Sequence, residues 1–188
     1  MHNLYLVAGR TASGKDYLVN TVAKKYGLRL LSSYTTRPMR VGETTEHVFI
    51  TPDEVDLYRS DIVAYTKIGE YEYFSTKQQL LECDFYIIDP KGIEYLEDKI
   101  KNDDSLHDIQ IHIIYIAADY VTRKHRALHN RKDKIDDFDA RCRNEEDQFI
   151  DFECSQAWNL RITNTDNTRR AIEQLEQYII TNNKLEAI

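Results

Sequence analysis

Three short runs in this chain are almost wholly apolar: residues 4–7 (LYLV), 85–88 (FYII) and 111–116 (IHIIYI). A strand with one wet face alternates apolar and polar residues, because successive side chains point to opposite sides. These runs leave no wet face. They predict strands buried on both sides, as in a parallel sheet covered by helices. The three lie within predicted strands at 3–8, 84–89 and 108–117, and further strand patterns occur at 28–34, 46–50, 61–67, 71–75 and 159–163. Helical apolar spacing falls between them, at 16–26, 52–59, 77–82, 91–101, 119–132, 136–152 and 168–181. Strands alternating with helices predict an α/β fold with helices on both faces of the sheet. At 188 residues the chain is long enough for one domain with a sizeable core.

Directly after the first apolar run comes GRTASGKD, residues 9–16. Gly9, Gly14 and Lys15 fill the frame GxxxxGK between a predicted strand and a predicted helix, the context such a phosphate-binding loop requires. Glycines let backbone N–H groups converge on phosphate oxygens. The helix N-terminus adds positive potential, and the Lys ammonium reaches the β- and γ-phosphates. Gly9, Arg10, Thr11, Ala12, Ser13, Gly14, Lys15 and Asp16 are therefore the candidate ATP-phosphate site. Asp16 stands where a hydroxyl is usual. It has two readings: a carboxylate complementing the helix dipole, or a ligand for Mg²⁺ beside the phosphates.

The middle of the chain departs from the α/β alternation. Residues 61–75 read as an antiparallel hairpin turning at Gly69-Glu70, within a tyrosine-rich insertion. Residues 123–134 (RKHRALHNRKDK) hold six Arg or Lys and two His in twelve positions. The formal net charge is nonetheless −7, which argues against a nucleic-acid partner bound through the overall field. Three scattered cysteines, with no CxxC, predict neither disulfides nor a zinc site. No apolar run approaches the 18 or so residues of a membrane span, so the expectation is a cytoplasmic protein without a membrane partner.

Residues 32–43, SSYTTRPMRVGE, carry the most specific signal. The segment resembles the acceptor-binding segment of the guanylate kinases, S-x-T-T-R-x-x-R-x-G-E, at Ser33, Thr35, Thr36, Arg37, Arg40, Gly42 and Glu43. Further matches follow in order: His47-Val-Phe-Ile-Thr with Y-x-F-V-S, Tyr71-Glu-Tyr-Phe-Ser-Thr with N-Y-Y-G-S/T, Ile88-Asp-Pro-Lys-Gly with I-D-x-Q-G, a lid over residues 123–146, and Arg161-Ile-Thr-Asn before the last helix. The resemblance spans essentially the whole chain. It implies a three-layer P-loop fold with a core over about residues 1–32, 76–120 and 150–188. It also implies a small β-rich acceptor-binding insertion over about 33–75 and a helical lid over about 121–149.

The resemblance further implies transfer of a phosphoryl group from ATP, with Mg²⁺, to a nucleoside monophosphate, GMP or dGMP in the family. Lys15, Arg37, Arg131 and Arg141 match catalytic cations, with Arg143 an alternative to Arg141. Ser33, Arg37, Arg40, His47, Tyr73, Ser75 and Asp89 match acceptor-binding positions, and Asn164 lies on the adenine side. Two arginines three apart suit an acceptor phosphate, because a guanidinium forks onto its oxygens. Four positions depart from the family pattern: Ala12 for a glycine, His47 for a tyrosine, Ile87 for an aspartate, and Ala64 for the glutamate that accepts the N–H donors of guanine. The last weakens the expectation of guanine selectivity unless Glu70 or Glu72 takes that role. Another nucleotide or a sugar phosphate is the alternative acceptor, and a non-catalytic binding module is the alternative outside enzymes.

Overall fold

The computed structural model describes residues 2–39 and 47–183. Arg40, matched above to the acceptor site, lies outside them. Strand β1 (His2–Ala8) is central to a parallel sheet whose order is β6-β1-β7-β8, with β6 at Phe85–Ile87, β7 at Ile109–Ala117 and β8 at Leu160–Thr163. The apolar run of β1 has the predicted cause. Leu4, Leu6 and Ala8 enter one core cluster with Ile93, Leu96, Phe149 and Phe152, under helices α3 (Pro90–Asn102) and α5 (Ile135–Ser155). Tyr5 and Val7 enter another with Leu18, Val22, Leu175 and Ile179, under α1 (Lys15–Tyr26) and α6 (Thr168–Asn183). Alternate side chains thus feed two helical layers.

A second sheet, in the order β3-β2-β5-β4, comprises β2 (Ser33–Thr35), β3 (His47–Phe49), β4 (Ile62–Ile68) and β5 (Tyr71–Thr76). The predicted hairpin is β4–β5, closed by Ile68 opposite Tyr71 with Gly69 at φ 62°. That left-handed turn geometry favours glycine. Phe74, Val55 and Ile62 form a small core of its own beneath Tyr34 and Tyr58.

Three predicted elements take different forms. The strand expected at 28–34 shortens to Ser33–Thr35, because Arg29 is held by Asp84 through its N–H and only Leu30 bridges to Phe85 in the core sheet. The helix expected at 52–59 is a pair of 3-10 turns, Pro52–Leu57 and Arg59–Asp61, since the segment is too short to bury a helical face. The basic helix expected at 119–132 is α4 (Tyr120–His125), which widens into a π-helical turn over Arg126–Asn130. Helix α2 (Lys77–Leu81) links the two sheets. No described helix is long and apolar enough to cross a membrane.

Candidate active site

The chain leaves β1 through residues 9–14 and enters α1 at Lys15. Two glycines are required there. A Cβ on Gly9 would lie 2.7 Å from the Ile116 carbonyl oxygen, and Gly14 sits at φ 88°, where a Cβ would lie 2.6 Å from Asn164 Nδ2. Ala12 takes a left-handed φ of 61°, held by packing against Ala127 and Phe138. The loop is braced from behind. Asn164 Nδ2 and Arg126 Nη1 both donate to the Ser13 carbonyl, at 2.8 and 3.0 Å. Asn164 is 1% exposed, so it shapes the loop rather than offering a surface to adenine. Arg10 is likewise taken up elsewhere: it pairs with Glu153 at 2.8 Å and Glu146 at 3.1 Å on α5 and lines a separate groove.

Helix α5 also reaches the loop from the site side. The Glu145 carboxylate accepts the Thr11 N–H on both oxygens, at 2.9 Å each, and the Thr11 hydroxyl at 2.9 Å, while Arg123 pairs with it at 3.4 Å. A carboxylate thus occupies a loop N–H of the candidate phosphate site.

One cavity of about 280 Å³ gathers most of the predicted residues. Gly9, Thr11, Lys15 and Asp16 line it from the loop; Ser33, Arg37, His47 and Tyr73 line it from the second sheet; Asp89 lines it from the end of β6; Arg131, just after the π-helical turn, and Arg141, on α5, complete the lining. On the sheet wall, Ser33 pairs in register with His47, and their Oγ and Nδ1 are 2.9 Å apart. Arg37 is buried, 7% exposed, with its guanidinium 5.4 Å from the Phe49 ring centre. Tyr73 and His47 meet edge to face at 5.9 Å. Ahead of α5, Asp133 binds both arginines, with Arg131 Nη2 and Arg141 Nη2 each 2.6 Å from its Oδ2.

Electrostatics separate the two aspartates. Burial would raise the Asp16 carboxyl, but Lys15, 3.6 Å away, and Arg131 outweigh it and hold the group below the usual carboxylate range. Burial dominates at Asp89 and raises it, against the opposing pull of the Gly92 N–H and the nearby Thr66 hydroxyl. Asp89 also N-caps α3, accepting Gly92 N–H at 3.0 Å, while lining the cavity. Among the described residues, no cluster of three or more His, Cys, Asp or Glu side chains could hold a metal ion. Asp16 is the carboxylate beside Lys15.

Ser75 is fully buried behind the wall and does not line the cavity. Its ladder partner is Ala64, itself at 0% exposure in the apolar core. The register therefore leaves position 64 without a polar group. Neither Glu70 nor Glu72 lines the cavity, and Glu72 accepts the Tyr65 hydroxyl at 2.7 Å instead. Glu145, Gln148, Thr66 and Tyr86 line the cavity unanticipated. A signal for the first two exists: Arg141, Asn144, Glu145, Gln148 and Phe149 recur at the spacing of one helical face.

The sequence matches no protein-family model and no curated protein. Its likeness is to solved structures. The crystal structure of guanylate kinase from Anaplasma phagocytophilum superposes with a TM-score of 0.64 at 15% identity, covering 99% of this chain and 88% of that one. The chain has a P-loop kinase fold like that of guanylate kinase.

Proposed function

We propose that this protein transfers the γ-phosphoryl group of ATP to the phosphate of a nucleoside monophosphate, releasing ADP and a nucleoside diphosphate. The reading rests on one observation: Lys15 and its glycine loop form one wall of a single cavity, Arg37 and Tyr73 another, and Arg131 and Arg141 line it from the lid. Phosphoryl transfer between two anions needs cations at both ends and little else, since positioning and charge stabilisation supply the catalysis.

The loop fits a polyphosphate on its own geometry. Gly9 and Gly14 leave no room for side chains, α1 begins at Lys15, and the Ser13 hydroxyl is buried with no protein partner. Asp16 fits as a carboxylate ligand for Mg²⁺, the remainder being phosphate oxygens and water, as is usual for that ion. When bound there, Mg²⁺ supplies neutralisation of the phosphate charge.

The residues divide the work. Lys15 reaches the β- and γ-phosphates from the loop. Arg37 forks onto the acceptor phosphate, with the Tyr73 hydroxyl and His47 as further donors. That phosphate needs no general base, because its oxygen is already anionic. The oxygen bonds to the γ-phosphorus as the bond to ADP breaks. Arg131 and Arg141 exchange the Asp133 carboxylate for the oxygens of the group in flight, and Glu145 yields Thr11 to the donor. Closure of the lid over both substrates excludes water, which would otherwise take the phosphoryl group.

ADP release from ATP and Mg²⁺, assayed over a panel of nucleoside and sugar monophosphates, tests the reading. ADP formed only in the presence of a nucleoside monophosphate is the expected result. Turnover confined to sugar phosphates moves the assignment to another phosphokinase, and no turnover with any acceptor rejects it.

A further inference from the structure

The cavity wall carries polar groups that the phosphates do not use. Thr66 is 7% exposed and lines the cavity, and its Oγ1 is buried with no hydrogen-bond partner. A buried hydroxyl left unpaired costs stability and usually signals a missing partner. Tyr86, 4% exposed, lines the cavity one strand over, and Asp89 follows at the end of the same strand. The carboxylate of Asp89 is half committed, because Oδ1 accepts the capping N–H of Gly92. What remains is one carboxylate oxygen beside the Thr66 hydroxyl, and the Tyr86 hydroxyl beside Ser75, an acceptor and two donors that can turn to a ligand.

That set differs from what guanine asks of a site. Guanine presents two adjacent N–H donors, best met by a carboxylate with both oxygens available. Ala64 supplies none, and Glu70 and Glu72 do not line the cavity. An imide edge presents a single N–H between two carbonyls. It asks for one acceptor and two donors, the complement of Asp89, Thr66 and Tyr86. Tyr65, Tyr86 and Ile68 line the same wall.

We propose that Thr66, Tyr86 and Asp89 select the acceptor, and that it is a pyrimidine nucleoside monophosphate with an imide edge, UMP or dTMP. This rests on the kinase reading above and names the substrate class of the same site. The test assays the full chain with ATP and Mg²⁺ for ADP release against UMP, dTMP, CMP, AMP and GMP, with ATP binding measured separately by calorimetry. The expected result is a kcat/KM for UMP or dTMP about tenfold or more above that for GMP. A preference for GMP or AMP overturns the inference and leaves the kinase reading standing; no turnover with any of the five overturns both.

Two variants make the test more selective. Thr66→Val, which keeps the shape, lowers kcat/KM for the imide acceptors about tenfold, the effect of one lost hydrogen bond in a dry site, with the ATP dissociation constant unchanged. Asp89→Asn retains the helix cap, since Asn and Asp cap equally well, but turns the free oxygen into a donor. It shifts preference toward CMP, whose ring nitrogen accepts. An unchanged order of acceptors in Asp89→Asn contradicts the proposal, and the wild-type panel decides the matter if either variant fails to fold.

Discussion

The two ends of the cavity are made in different ways. At the loop end the shape belongs to the backbone: Gly9 and Gly14 admit no side chain, Asn164 and Arg126 hold the Ser13 carbonyl, and Glu145 covers the Thr11 N–H. At the sheet end the surface belongs to side chains: hydroxyls from Ser33, Thr66 and Tyr73, a guanidinium from Arg37 and an imidazole from His47. Backbone recognition of phosphate tolerates wide variation in residue identity, so long as the glycines and the lysine remain. Side-chain recognition changes with every substitution, and a site built on hydrogen bonds discriminates steeply. Under the proposed function, the loop end is therefore the half that tolerates substitution, and the sheet end is the half in which a new substrate could be acquired.

Breaking each end separately tests the contrast. The largest effect is expected from Lys15→Ala, a fall in kcat on the order of a thousandfold in ADP release, as for other lost transition-state cations. A loss under tenfold removes Lys15 from the chemistry. Next comes Arg37→Ala. A hydrogen bond to a charged group contributes about 1.5–3 kcal/mol, so kcat/KM for the acceptor should fall roughly 10- to 150-fold. Titration calorimetry should find the ATP dissociation constant within about twofold of wild type; an equal loss on both sides would mean the ends are not separable. Gly14→Ala attacks the loop backbone itself. With φ at 88° and the Cβ placed 2.6 Å from Asn164, it should cost about 1–3 kcal/mol. That is visible in thermal denaturation as about 2–4 °C per kcal/mol for a chain of this size.

Smaller effects come from the charges around the loop. Glu145→Gln removes a negative charge that the incoming phosphates must displace, and ATP should bind about two- to fivefold more tightly. Weaker binding would instead make Glu145 a support of the loop. The smallest effect is in pH. The Asp16 carboxyl is held low, so its contribution to stability is present above the ordinary carboxylate range near pH 4 and is lost only as the pH falls through its own depressed value. The melting-temperature difference between wild type and Asp16→Asn should therefore persist at neutral pH and shrink on acidification below about pH 4.

The apolar runs of β1, β6 and β7 were legible because a strand buried on both faces has no polar residues to confuse its period. The hairpin was legible because Gly69 marks its turn. The glycine loop was legible because Gly9 and Gly14 stand at a fixed spacing between a strand and a helix. Contacts made between distant parts of the chain were not. Nothing near Glu145 signals that it meets Thr11, 134 residues away. Nothing near Arg10 signals that its charge is spent on α5 rather than on a nucleotide. Thr66 escaped notice because a threonine in a strand is ordinary, and only its burial without a partner sets it apart. The π-helical turn after α4 was hidden by helical spacing on either side of it.

The bond from Asn164 to Ser13 joins residues 151 positions apart. During synthesis, the loop after β1 must therefore wait until Asn164 has emerged before it is braced into shape. Pairing of β1 with β7, through residues as distant as Ala8 and Tyr115, imposes the same delay on its strand. Folding of this kind is slow, because long loops must close before any contact rewards them. A chain cut between α1 and β8 would keep the GxxxxGK sequence but lack the Asn164 bond that braces it.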